Sequence, residues 1–259
     1  MIPFGARRAP TGQGPQFIFR RGDVYVSAGV ARRTSTSGRE AHQLPPGRHG
    51  LSRAFVAQNQ RERILAAVAD VTSVAGYGQM SVEDVIVTAG ISRRTFYEHF
   101  KNRHDAFIAA YDTVVMQLLE GVRLAYESED TFPERLRAGL EAFLDFVARE
   151  PAFARMCIVE VLAAGPDAVK RRNAAMAAFA TLIDENAREL GTALHPPALT
   201  GETIVGGIYE VVYARIVAGE IRSLPSILPD LLYSALLPYV GQEQATAAYQ
   251  RQREATSVA

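Results

Sequence analysis

The sequence predicts an all-α protein, on three observations. From Phe55 to Val240 apolar residues recur at intervals of three and four, the period of a buried helix face. Ser, Asn, Gly and Pro punctuate that pattern where helices are capped or stopped. After the first hundred residues no alternating run is long enough for a strand.

The elements follow in order. Ile64, Leu65, Val68, Val71, Thr72 and Ala75 form one face of a first helix, closed by Gly76. Ser81-Val82-Glu83-Asp84, a cap residue with an acid three positions on, opens a second helix with Val82, Val85, Ile86 and Ala89 inward. It stops at Gly90; Ile91 is a buried turn residue, and Ser92 caps a short third helix from Arg93 to His99. Asn102-Arg103-His104-Asp105 starts a fourth, carrying Phe107, Ala110, Tyr111, Val114 and Leu118. A fifth, with Leu136, Leu140, Phe143, Leu144 and Val147, ends at Pro151. Phe153 to Leu162, Asp167 to Leu190 and Thr203 to Ala218 are expected helical, with a loop through His195-Pro196-Pro197. Ser226 to Val240 is the last main helix, and a polar tail follows Gly241.

Composition narrows the class. One Cys in 259 residues excludes an internal disulfide and points to a reducing compartment, the cytoplasm. The most apolar stretch, Ile204 to Ala218, is interrupted by Glu210 and Arg215, so no membrane span is expected. Asp23 and the pair Arg32-Arg33 likewise break the segment around Val24-Tyr25-Val26 too early for a signal-peptide core. The first fifty residues hold eight Gly, five Pro and three Arg pairs without a sustained period. Such a segment cannot bury enough surface to offset its ordering entropy. Residues 1–55 are read as a disordered basic extension with one short extended piece at Val24–Val26, or as sequence upstream of the true translation start.

The formal net charge of zero conceals a split: residues 1–104 hold 15 Lys+Arg against 7 Asp+Glu, the remainder 13 against 21. A surplus of eight positive charges in one part and of eight negative in the other suggests an N-terminal portion that meets a polyanion. Residues 81–100 supply the means, two short helices joined by a Gly-containing turn. With Phe96 and Phe100 facing Ile64, Val85 and Ile91, the polar residues Arg93, Arg94, Thr95, Tyr97 and His99 are left on or near the outer surface. Arg pairs bidentately with guanine, Thr meets a thymine methyl or a phosphate, and Tyr, His and Lys donate to phosphate oxygens. Two readings stay open at this point: Tyr97 as a packed aromatic beside Phe96, and Arg93-Arg94 as a solvated basic face.

Ile64-Leu65-Ala66-Ala67, Gly76-Tyr77, Ser81-Val82-Glu83-Asp84-Val85, Ala89-Gly90-Ile91-Ser92 and Thr95-Phe96-Tyr97-Glu98-His99-Phe100-Lys101-Asn102-Arg103 resemble the DNA-binding domain of TetR-family transcriptional regulators. The resemblance covers residues 58 to 118 and is most specific from Thr95 to Asn102. It implies a DNA-binding domain over 56–118, a helical ligand-binding and dimerisation domain over 119–246, and a polar tail over 247–259. It further implies phosphate contacts from Tyr97, His99 and Lys101, a phosphate or base contact from Thr95, and base reading by Arg93 and Arg94. Ser92, at the start of the recognition helix, and Arg103, which replaces the usual Lys, complete the DNA-binding set. Thr72 stands where a large apolar residue is common and Ile86 where Ala is common, compensating volume changes in a small core.

In the C-terminal half the telling residues are polar groups within apolar helices: Glu160, and Glu210 with Tyr213 on one face beside Tyr209. A helical bundle with a few such groups facing inward is where a small-molecule pocket is built. Met156, Glu160, Phe179, Tyr209, Glu210 and Tyr213 are the expected ligand-binding residues, joined by Phe143 and Phe146; either Glu can instead face solvent or an interface. Gly206-Gly207 permit close approach of another helix, with the last helix, in a dimer seam. His99 and His104 lack a third ligand at metal spacing, and neither a cofactor nor a metal is expected. Cys157 has no His near it in sequence, and neither a nucleophile elbow nor a phosphate-cradling Gly loop is present, so the chain is not read as an enzyme. The expected function is a homodimeric repressor on an inverted-repeat operator in double-stranded DNA, released by a small-molecule effector. The alternative is a dimeric sensor or scaffold of the same fold that no longer binds DNA.

Overall fold

The computed structural model describes residues 53–188 and 196–258, so the expectations for the N-terminal extension before Arg53 and for the Gly191–His195 loop fall outside the described residues. All the regular structure there is helical: α1 (Arg53–Ala75), α2 (Val82–Ala89), α3 (Arg93–His99), α4 (Arg103–Glu127), α5 (Phe132–Arg149), α6 (Pro151–Ile158), α7 (Pro166–Arg188), α8 (Thr200–Val217) and α9 (Leu228–Val258). Short 3-10 turns at Glu160–Leu162 and Ile221–Ile227 complete the path. No described helix is long and apolar enough to cross a membrane.

Local chemistry sets the boundaries. Gly76 and Gly90 adopt φ of 79° and 61°, the left-handed conformation that ends α1 and α2. Ser81 and Asp84 form the reciprocal capping box of α2, and Ser92 and Asn102 accept from the Thr95 and Asp105 amides to start α3 and α4. Thr72, the unusual core residue, is fully buried because its hydroxyl donates to the Met80 Sδ at 3.2 Å.

Three expectations are corrected. Residues 53–55 belong to α1 rather than to the extension. The last helix begins at Leu228, since a 3-10 turn containing Pro225 holds Ser226. The polar tail after Gly241 is part of the last helix: Gly241 (φ 79°) kinks α9, and the helix then resumes to Val258. Residues 242–258 contain neither Gly nor Pro, Ala245 and Ala248 are buried, and the Tyr249 ring packs edge-on against Tyr233 at 6.0 Å.

α1 packs against α2, α3 and α4, with Phe96, Phe100, Phe107, Ile64 and Val68 in the shared core. α4 then continues unbroken past Leu118 and lies along α5. α6 packs back onto α1, joining the two ends of the molecule through a contact that bypasses α4.

Candidate nucleic-acid interface and internal cavity

α3 is held by its buried side and by both neighbours. Phe96 and Phe100 are buried with ring centroids 6.0 Å apart, and Arg63 of α1 donates to the carbonyls of Ala89 and Gly90, locking the turn between α2 and α3. The outer side carries the expected polar set. Arg93 and Arg94 are strongly exposed and pair with Glu83 (3.3 Å) and Glu98 (3.0 Å). Exposed pairs of this kind contribute about 0–1 kcal/mol, so an anionic ligand displaces them at little cost. Tyr97 is exposed rather than packed inside, leaning edge-on against Phe96 with the Arg93 guanidinium 5.8 Å from its ring. Lys101 is exposed at the end of the same surface.

Three members of the set do structural work. Ser92 accepts from the Thr95 amide at 3.0 Å and shares a 2.8 Å hydrogen bond with its hydroxyl, so both polar side chains serve the cap. Arg103 does not project outward as a solvated phosphate ligand would: half-buried, it donates to the carbonyls of Gly78 and Met80 at 3.2 and 2.5 Å and lies over the Tyr77 ring. A guanidinium satisfies two backbone acceptors at once where the Lys ammonium is a compact point charge, which accounts for Arg at this position.

His99 is half-buried beside α1, its Nε2 3.4 Å from Gln60 Oε1. Burial, reinforced by Arg61 and opposed by Glu98, holds its imidazole below the ordinary histidine value. Arg61 and Gln60 thus border the recognition surface, a contribution from α1 that sequence reasoning missed because only the fold brings position 60 to position 99. His104 points elsewhere, with Nδ1 2.9 Å from the Tyr77 hydroxyl.

A cavity of about 120 Å³ opens among α4, α5, α6, α7 and α8. Most of its wall is apolar, including Leu140, Phe143, Phe146, Phe179 and Ile183. Polar groups gather around Tyr111, Cys157, Arg172 and Tyr209. Tyr209 donates to the Ile158 carbonyl at 2.5 Å, and the Arg172 guanidinium stacks over its ring at 4.0 Å. Burial pushes the Tyr111 and Tyr209 phenols and the Cys157 thiol upward, so all three keep their protons near neutral pH.

Of the expected ligand-binding residues, Phe179 and Tyr209 line this cavity, whereas Met156, Glu160, Glu210 and Tyr213 do not. α6 turns Ala154, Cys157 and Ile158 toward the cavity at the i, i+3, i+4 spacing, leaving Met156 in solid core. α8 likewise turns Val205, Ile208 and Tyr209 inward, and Glu210, one residue and 100° further round, is exposed. Glu160 sits at a junction: its largely buried carboxylate accepts from the Tyr77 amide at 2.9 Å, beside Gly76, with Arg155 Nε 3.8 Å away.

Residues 64–110 match the model of bacterial regulatory proteins of the tetR family. The HTH-type transcriptional regulator EthR of Mycolicibacterium smegmatis is 30% identical over 179 residues, covering 67% of this chain and 80% of that protein. The HTH-type transcriptional activator FasR of the same organism is 28% identical over 116 residues, 45% of this chain and 53% of FasR, so the match spans about half of that relative's length. In fold, the transcriptional regulator FadR of Bacillus subtilis, solved in complex with stearoyl-CoA, superposes with a TM-score of 0.61 at 20% identity, covering 69% of this chain and 97% of FadR. The extent of the similarity to EthR, with the helix-turn-helix match, shows that this chain belongs to the TetR family of transcription regulators.

Proposed function

We propose that the protein is a cytoplasmic homodimeric repressor that binds an inverted-repeat operator and is released when a small-molecule effector enters the cavity. The observation that carries this reading is α3: its apolar side is buried while Arg93, Arg94, Tyr97 and Lys101 stand exposed and Thr95 and His99 half-exposed beside them. DNA binding is assigned to 56–118 and the sensor to the helices from 119 onward, with α4 as the shared element. Dimerisation is supported by α8, where Gly207, Val211, Ala214 and Ala218 form an exposed stripe of small and apolar residues at helical spacing. A side chain built on Gly206 or Gly207 would meet nothing within 4 Å, leaving room for a partner helix. Two recognition helices one DNA turn apart then read a two-fold symmetric site.

The effector acts through α6. Cys157 and Ile158 belong to the cavity wall, and Glu160, two residues on, holds the Tyr77 amide at the foot of the DNA-binding unit. A ligand that displaces Tyr209 from the Ile158 carbonyl shifts this connection and with it α3. A coupling of about 1–3 kcal/mol lowers operator affinity roughly 5- to 150-fold. The test is selection of bound sequences from random DNA by the purified full chain, followed by titration of the recovered site against salt. An inverted repeat is expected, with a log–log salt slope near −7 if about eight phosphates are neutralised per dimer. A flat salt response overturns the reading, and loss of target-gene expression on deletion of the regulator overturns repression in favour of activation.

A further inference from the structure

The cavity is elongated. Along α4 its lining runs from Tyr111 to Tyr126, about 22 Å at the helical rise, and along α7 from Arg172 to Ile183, about 16 Å. Its charge is concentrated in one group, since Arg172 is the sole Asp, Glu, Lys, Arg or His among the lining residues. Among the described residues no carboxylate pairs with it: Nη1 donates to Asn173 Oδ1 at 2.9 Å, and Nε is buried without a hydrogen-bond partner. Arg171 next to it, by contrast, pairs with Asp112 at 2.6 Å.

The guanidinium reaches from the exposed side, where Nη1 meets Asn173, to the cavity wall, where its Nε–H is buried, and a buried donor left without a partner is costly. The Tyr209 ring at 4.0 Å offsets part of that cost and fixes the guanidinium plane, leaving its unused donor unmet. Tyr111, a second phenol on the same stretch of wall, makes no hydrogen bond through its hydroxyl among the described residues.

We propose that the effector is an anionic amphiphile, a linear apolar chain lying along the cavity with an oxyanion head, carboxylate or phosphate, paired with Arg172. This rests on the reading of the cavity as the effector site. The head supplies the missing counter-ion and competes for the Tyr209 hydroxyl, so the group that gives specificity also loosens the tie to Ile158. A neutral chain of the same length fills the apolar part but leaves Arg172 as it is.

Calorimetric titration of the full chain with tetradecanoate, 1-tetradecanol and tetradecanoyl-CoA, each below its micellar concentration, tests this. One or both anions are expected to bind at least roughly tenfold more tightly than the alcohol. That preference is expected to vanish in Arg172→Met and to survive in part in Arg172→Lys. Tight binding of the acid identifies a carboxylate head; tight binding of the thioester alone identifies the coenzyme phosphates. Thermal melting checks that Arg172→Met is folded, and Arg172→Gln replaces it if not. Equal affinity for alcohol and anions, or a preference that persists without Arg172, overturns the proposal while leaving the cavity as the effector site. Failure of all three chains to bind, with operator binding intact, overturns both.

Discussion

In the DNA-binding unit aromatic rings fill space: Phe96, Phe100 and Phe107 are buried with Ile64 and Val68 in one shared core. In the helical bundle the same residue types, Tyr111, Phe143 and Phe179, stand around a void. The first region must hold the two short helices α2 and α3 in one geometry against α1, and dense packing does this because interiors lose contact energy wherever a gap opens. On the proposed function the second changes when a ligand arrives, and an unfilled cavity provides the place where that ligand restores missing contacts. Rigidity and response are thus separated along the chain, and α4, the α6–α1 contact and the Glu160–Tyr77 hydrogen bond connect them.

The largest expected effect tests that contrast directly. Phe96→Ala removes a fully buried ring and is expected to cost about 3–5 kcal/mol, abolishing operator binding. Phe179→Ala, whose ring already borders the cavity, loses fewer contacts and is expected to cost less than half as much. Urea denaturation of both variants measures the difference; equal losses would show that the bundle is as tightly packed as the DNA-binding unit.

Glu160 crosses between the two regions. Removing its carboxylate leaves the Tyr77 amide without its partner, so Glu160→Ala is expected to cost about 1–3 kcal/mol in the same assay. Its larger signature is loss of communication: effector binding persists, yet operator affinity no longer depends on effector. Retained coupling in this variant would assign transmission to α4 alone.

The contrast also decides what could be read from sequence. Ser81, Gly90, Ser92 and Asn102 act on amides within a few residues, and the spacing of Phe96 and Phe100 places both on one helix face, so the DNA-binding unit was legible almost to its boundaries. Glu160 looked like a pocket residue because it lies in an apolar stretch; its partner is 83 positions away. Arg103 carried a charge suited to phosphate, but the loop carbonyls that claim it become neighbours only after α4 docks. Arg172 offered no periodic signal, since its importance comes from what four other helices fail to place beside it. The helix beyond Gly241 was missed because a glycine that ends one helix in α2 only bends another in α9, where Ala245 and Ala248 find a surface to pack on.

Two cations close together in sequence separate structure from recognition. Arg103→Ala is expected to cost about 1–2 kcal/mol of stability through the lost carbonyl contacts while leaving the salt slope of operator binding unchanged. Lys101→Ala is expected to leave stability unchanged and to reduce that slope by about one for each subunit. The reverse pattern would return Arg103 to the phosphate-contact set.

The smallest effect concerns His99, where folding and operator binding make demands of opposite sign with pH on one side chain. In the free protein its value lies below the ordinary 6.5, first through burial and then through Arg61, with Glu98 acting against them. The unfolded chain therefore binds the proton first as pH falls, so the contribution to stability is present above the ordinary value and is lost as pH drops toward the native one. On the operator, a phosphate beside the ring favours the imidazolium, and the complex takes up a proton that the free protein does not hold. Lowering pH from about 7.5 to about 6 is then expected to destabilise the free protein slightly and to tighten operator binding, with His99→Gln flattening both responses. Affinity that falls with pH in step with stability would place the imidazole in the packing between α1 and α3, away from the DNA, and leave Tyr97 and Lys101 to hold the backbone.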